Sequence, residues 1–268
     1  EAGKYGFLTI LSTLSWGLGY FGMPQVLLRF MAIRKRSELK MSRRIATVWV
    51  VISLTAAVFI GVLGRYIMPT DAGLATQSGA ENVFAHLAQL LFPPLLAGVV
   101  MAGILAATIS SSDSYLLIAA SAVSKNLFEG IIKKDANDKQ VMRVSRIMLL
   151  IISAIGIAIA WNENSIIFEI VSFAWSGFGA TFGPIMLFSL FWKRVNRPGA
   201  IAGMISGGVM VFVWKLLLKP LGGVFAIYEL LPAFVISSIF IVVVSLCTKK
   251  PSDEITSEFE KAKNFVEE

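Results

Sequence analysis

The chain has 268 residues, 56% hydrophobic and only 15% charged, with a formal net charge of +7 and a mean hydropathy of +0.74. That composition excludes an ordinary soluble domain, in which about a quarter of the residues are charged. A single histidine, His86, and a single cysteine, Cys247, exclude an intramolecular disulfide and leave no basis for a histidine or thiolate metal centre.

The first apolar run, from Tyr5 to Leu28, is interrupted by Ser15-Trp16-Gly17-Leu18-Gly19-Tyr20-Phe21-Gly22-Met23-Pro24. Unpaired backbone groups are costly in hydrocarbon, so irregular backbone at that depth belongs where it lines a cavity or is buried in protein. The break therefore marks a candidate site. Gly17, Gly19 and Gly22 spell G-x-G-x-x-G, but no strand precedes them, so a dinucleotide fingerprint is declined.

A span needs about 20 predominantly apolar residues. Runs of that kind occur at 5–31, 45–68, 93–127, 140–160, 165–191, 199–218 and 224–247, about seven spans in all. Lys and Arg concentrate in 32–44, 128–146 and 192–198, while 69–82 and 161–164 have none and 215–223 holds only Lys215 and Lys219. The positive-inside rule then places residue 1 outside and the carboxy terminus in the cytoplasm. The basic charge serves topology and an anionic inner leaflet, with no nucleic-acid signal. Because residue 1 is Glu and an external start leads directly into a broken span, a piece of a longer chain is expected.

Past Pro69, residues 80–92 place Val83, Phe84, Leu87, Leu90 and Leu91 at helical spacing ahead of Pro93-Pro94, an external amphipathic helix that either lies in the interface or caps a vestibule. In the third span, Ala106-Ala107-Thr108-Ile109-Ser110-Ser111-Ser112-Asp113-Ser114-Tyr115 carries hydroxyls and an acid into an apolar helix. Positions 107, 110, 111 and 114 share a face, and their hard oxygens suit an alkali cation; close helix packing and bonding back to the helix are the structural alternative. An acid within a span, Asp113, marks an ion path or a paired site.

Further on, Gly199, Gly203 and Gly207 form a helix-packing stripe, and Gly177, Gly179, Gly183 and Pro184 favour packing over a hinge. Glu163 and Glu169 suit a solvated boundary, and the tail from Ser252 suits an amphipathic helix or disorder with Ile255, Phe259 and Phe265 among charges.

Taken together, the run from Ser15 to Pro24 with Arg29-Phe30-Met31, the segment Gly103 to Ser114, and Tyr228-Glu229-Leu230-Leu231-Pro232 resemble the sodium:solute symporter family, in order and over essentially the whole chain. The resemblance implies an all-α integral membrane fold that is the second half of a leucine-transporter-like inverted repeat. Residues 1–191 would be the second five-helix repeat, 192–247 two peripheral transmembrane helices, and 248–268 a cytoplasmic tail.

The resemblance also implies sodium-coupled uptake of L-proline across a bacterial cytoplasmic membrane by alternating access, with Na+ as coupling ion and no cofactor. By the same resemblance Trp16, Tyr20 and Pro24 line the proline pocket, and their spacing of four would keep them on one face. Ala107, through its carbonyl, and Ser110 and Ser111, through their hydroxyls, match sodium-site positions; Ser111 is threonine in some relatives, which leaves an oxygen in place. Asp113 and Ser114 fall where some relatives build a second sodium site. The remaining ligands would come from an amino-terminal repeat absent from this chain, its partner in the lipid bilayer. Pantothenate, a sugar or a sialic acid would be expected to change Trp16, Tyr20 and Pro24, and a sensor would need more than the roughly 20 residues after Cys247. A membrane enzyme is disfavoured, since no nucleophile, base and orienting group fall together.

Overall fold

The structure is a computed structural model that describes residues 6–35, 37–69, 74–161 and 166–264. Tyr5, Glu163 and Phe265, which figure in the sequence reading, lie outside them.

Local sequence explains where the helices begin and end. The first apolar run forms α1 (Phe7–Leu14), α2 (Trp16–Gly19) and α3 (Pro24–Met31), and Pro24 opens α3 where its missing N–H costs nothing. Helix α4 (Glu38–Ile67) follows. The short α5 (Gln77–Ala80), capped by Thr76, leads into α6 (Val83–Leu91), which Phe92-Pro93-Pro94 ends. Helix α7 (Pro94–Ser121) continues as a π-helix over Ala122–Ile132. Asn137 and Gln140 form a capping box at the start of α8 (Asp138–Ala160). Helix α9 (Ile167–Phe191) contains Pro184, and Asn196 caps α10 (Arg197–Val213). Helix α11 (Leu230–Cys247) and the tail helix α12 (Asp253–Lys263), capped by Ser252, complete the order.

Among the described residues, six helices are long and apolar enough to cross a membrane: 38–67, 94–132, 138–160, 167–191, 197–221 and 230–247; Phe7–Gly19 is a shorter apolar helix. The last apolar run predicts a span over 224–247, but residues Gly223–Ala226 form a 3-10 turn and α11 starts at Leu230. Helical structure also runs through 214–221, so Lys215 lies in a π-helical turn rather than in a connection.

The chain divides into two compact units, one of Glu1–Lys40 with Phe168–Glu268 and one of Met41–Ile167. In the first, Ala180, Val211, Leu230, Ala233 and Phe234 form the core, with Leu18, Phe173 and Trp175 packed on it. Gly203 and Gly207 face Ile241 and Ser237 of α11 so closely that a Cβ at either would collide, and Ser237 Oγ donates to the Gly203 carbonyl at 2.8 Å. This confirms the packing reading of that stripe. Pro184 has no N–H for the Ala180 carbonyl, and Gly207 sits directly on that carbonyl. Asn196 Nδ2 donates to Thr248 Oγ1 and the Lys249 carbonyl, each at 2.7 Å, which fastens the far end of α11.

In the second unit, Val83 packs where Gly64 of α4 has no side chain, and Leu87 and Ala88 are buried. Phe84, Leu90 and Leu91 of the expected apolar stripe stay exposed.

Candidate functional site

In the first unit the site is built around the broken helix. The backbone bonds of α2 shorten before the break: Tyr20, Phe21 and Gly22 donate to the carbonyls three residues back, Gly17, Leu18 and Gly19. Met23 is extended at φ −80° and ψ 117°, and bonding resumes when Val26 and Leu27 donate to the Met23 carbonyl. Among the described residues, the carbonyls of Tyr20, Phe21 and Gly22 accept no backbone hydrogen bond. They are the orphan acceptors that a helix end leaves.

Small residues hold this break against α9. A Cβ on Gly22 would meet the Phe178 carbonyl, the Gly183 N–H and the Gly179 Cα, and one on Gly19 would fall inside the Trp175 indole. Gly179 and Gly183 are therefore packing positions, as read from sequence, whereas Gly177 has open space around its missing Cβ.

Trp16 and Tyr20 come together around Trp175. The Trp16 ring stacks on Trp175 at 5.3 Å, on Phe168 at 5.5 Å and on Tyr228 at 5.8 Å, and Trp175 Nε1 donates to the Trp16 carbonyl at 3.0 Å. Tyr20 meets Trp175 edge-on at 4.8 Å and keeps 50% of its surface exposed. Pro24 lies beyond the break. The spacing of four puts Trp16 and Tyr20 on one face of α2, but that periodicity does not carry to Pro24, because Met23 leaves helical geometry. The single-face reading of all three is corrected accordingly.

Sequence reasoning missed the residues that hold Trp16. Phe168, Ser172, Trp175, Gly179 and Gly183 recur at three- and four-residue steps on α9, and that one face was the available signal. It also missed Glu229, which is only 1% exposed and receives Lys219 Nζ at 2.9 Å, with Lys215 Nζ at 4.0 Å and itself 4.3 Å from the Phe173 ring centre. An acid opening an apolar run, preceded by two lysines, is the cue. Next to it, burial pushes the Tyr228 phenol above its ordinary range, the Glu229 charge adds to this, and the Ser176 hydroxyl opposes both. Tyr228 thus stays protonated and donates to the Ser172 carbonyl at 2.6 Å.

In the second unit, Ala107, Ser110, Ser111, Asp113 and Ser114 all lie on α7 and are exposed. Thr108 Oγ1 donates to the Ile104 carbonyl at 3.0 Å and Ser114 Oγ to the Ser110 carbonyl at 3.2 Å, the self-bonding expected of hydroxyls in helices. Among the described residues, no hydrogen bond engages the hydroxyls of Ser110 and Ser111, and no cation pairs with Asp113. The helix is unbroken through Ala107, whose carbonyl retains a second lone pair for a ligand. Glu169 is exposed, as expected.

The sequence pattern of the sodium:solute symporter family matches residues 4–207. The chain is 42% identical over 264 residues to a sodium/proline symporter of Haemophilus influenzae, covering 97% of this chain and 52% of that protein. A sodium/proline symporter of Escherichia coli K12 is 41% identical over 259 residues, 96% of this chain and 50% of its own length. One from Staphylococcus aureus USA300 is 38% identical over 268 residues, 98% and 52% respectively. The chain thus spans about half the length of these curated relatives. It is a multi-pass membrane protein, and on this family match it belongs to the sodium:solute symporter family.

Proposed function

We propose that this chain is the carboxy-terminal half of a carrier that takes up L-proline with Na+ by alternating access. The observation that carries the proposal is similarity at about 40% identity, along nearly the whole chain, to proteins named sodium/proline symporters, together with a broken helix whose wall is aromatic.

In this reading residues 1–191 form the second five-helix repeat and 192–247 two peripheral helices. An amino-terminal repeat supplies the remaining sodium ligands. The bare carbonyls of Tyr20, Phe21 and Gly22 hold the secondary ammonium of proline, and the N-terminal end of α3 at Pro24 favours its carboxylate. Trp16 and Tyr20 offer ring surface to the pyrrolidine. Ser110, Ser111 and the Ala107 carbonyl bind Na+, with Asp113 and Ser114 as a second position. Sodium bound there favours the state open to the outside and tightens proline binding, and proline tightens sodium binding by the same factor. Residue 1 is external and the tail cytoplasmic.

The test is uptake of labelled proline into proteoliposomes holding the full parent protein, under an inward sodium gradient and, separately, an equal potassium gradient. Accumulation with sodium alone, competed by unlabelled proline, is expected. Sodium-driven uptake of a different solute would discard proline; no sodium-dependent uptake would discard the coupling.

A further inference from the structure

The geometry points to Tyr228 as a positioning residue: the connection between α10 and α11 holds the first half of the broken helix, and with it the Trp16 wall of the substrate pocket. This rests on the proposed role of Trp16. A connecting segment ordinarily spends its backbone groups on water and moves freely. Here the Tyr228 N–H donates to Ser12 Oγ on α1 at 2.7 Å, across 216 positions of sequence, and its phenol donates to the Ser172 carbonyl on α9 at 2.6 Å. Its ring stacks on Trp16. The next residue, Glu229, is buried beneath Lys219, so Tyr228 is fixed from behind.

Trp16 is consequently held twice, by its ring and by the Trp175 bond to its carbonyl, whereas Tyr20 has one edge contact and half its surface free. A wall of one fixed and one movable aromatic can admit a ring and then close on it. Ser12 is the acceptor through which the connection acts on α1, so its hydroxyl sets how firmly that half-helix is held.

The experiment uses the full parent protein and two readouts. Ser15 is 4% exposed on the same half-helix. A Ser15→Cys protein in detergent is treated with a maleimide, and modification at position 15 is followed by mass spectrometry. Ser12→Ala should speed that modification roughly three- to tenfold, the ratio one hydrogen bond of ordinary net strength converts to. Ser12→Thr, which keeps an acceptor oxygen, should return it to the parent rate. In uptake, without the added cysteine, Ser12→Ala should raise the half-saturating substrate concentration by a similar factor with the maximal rate held, and Ser12→Thr should restore it.

Equal labelling in Ser12→Ala and its parent overturns the anchor. Faster labelling with unchanged half-saturation overturns the positioning role and leaves a merely structural contact. If the protein with Ser12 intact accumulates no proline, the functional reading fails while the labelling arm still decides the anchor; if Ser15→Cys fails to fold, the uptake arm decides.

Discussion

The glycines of the broken helix and of α9–α11 in the first unit are mostly packed, and those of the long helices in the second unit are mostly open, with exceptions such as Gly177 on one side and Gly64 on the other. Around the broken helix and α9–α11, a Cβ at Gly19, Gly22, Gly179, Gly183, Gly199, Gly203 or Gly207 would collide with a neighbour, whereas Gly61, Gly98, Gly103 and Gly156 of the other unit have nothing within 4 Å. Two pairs of hydroxyls show a similar contrast: Ser176 and Ser237 are fully buried and bonded, and Ser110 and Ser111 are exposed and, among the described residues, carry no hydrogen bond from their hydroxyls. Small and polar residues in membrane helices thus have two meanings. In the first unit they let backbones touch and satisfy one another inside the chain. On α7, Ser110, Ser111 and Asp113 meet no such partner among the described residues, and hydrocarbon would be a costly place to leave hydroxyls and an acid. Contact with protein or a solvated ion path answers that cost.

The largest effect expected from breaking this contrast is at Gly22. Gly22→Val would push two methyl groups and a Cβ into the Phe178 carbonyl and the Gly183 N–H, backbone atoms that cannot rotate away. Overpacking typically costs about 1–3 kcal/mol, and rigid neighbours put this change at or above the top of that range. Loss of folded protein on size exclusion is the expected outcome. A parent that kept its apparent Tm would show that α9 and the broken helix are not packed as described.

Glu229→Gln comes next. Removing the charge replaces the charge-assisted bond from Lys219 by a neutral one and leaves a lysine that is 39% exposed, so the loss is about 1.5–3 kcal/mol, the range for a hydrogen bond to a charged group. Apparent Tm should fall, and the double change Glu229→Leu with Lys219→Met should recover most of the loss. A double variant no better than the single one would mean that the loss does not come from Lys219 left without its partner.

Much of this was legible in the sequence. Apolar runs near 20 residues marked six helices that the structure keeps, and the Gly-Pro interruption at 15–24 marked the break, because hydrophobic length and backbone chemistry are local properties. The stripe at Gly199, Gly203 and Gly207 was equally readable. The hold on Trp16 was not. Trp175 and Tyr228 lie 159 and 212 positions away, and aromatic residues at helical spacing carry no mark of which partner they meet. Glu229 was hidden for the same reason, since its lysines precede it across a π turn and two 3-10 turns whose geometry no periodicity announces.

Within α7 the contrast is sharpened by comparing hydroxyls. Ser110→Ala should raise the sodium concentration for half-maximal uptake by about tenfold, equivalent to about 1.4 kcal/mol. Thr108→Ala removes a hydroxyl already bonded to the Ile104 carbonyl and should leave the sodium curve in place. Equal shifts for both would reduce Ser110 to a packing residue.

The smallest effect separates lipid from protein as the neighbour of α7. Gly61 lies on α4 and Gly103 on α7, both with open space at the missing Cβ. Gly61→Ala in the full parent should change stability by less than about 0.5 kcal/mol, or raise it slightly, since alanine is the better helix former. Gly103 differs in position, because 103, 107, 110, 111 and 114 fall on one stripe. If another repeat covers that stripe, Gly103→Ala lowers the apparent Tm of the parent while Gly61→Ala does not. If both are silent, no second repeat packs on the stripe, and the hydroxyls of Ser110 and Ser111, which have no partner among the described residues, line a solvated path instead of a closed ion site.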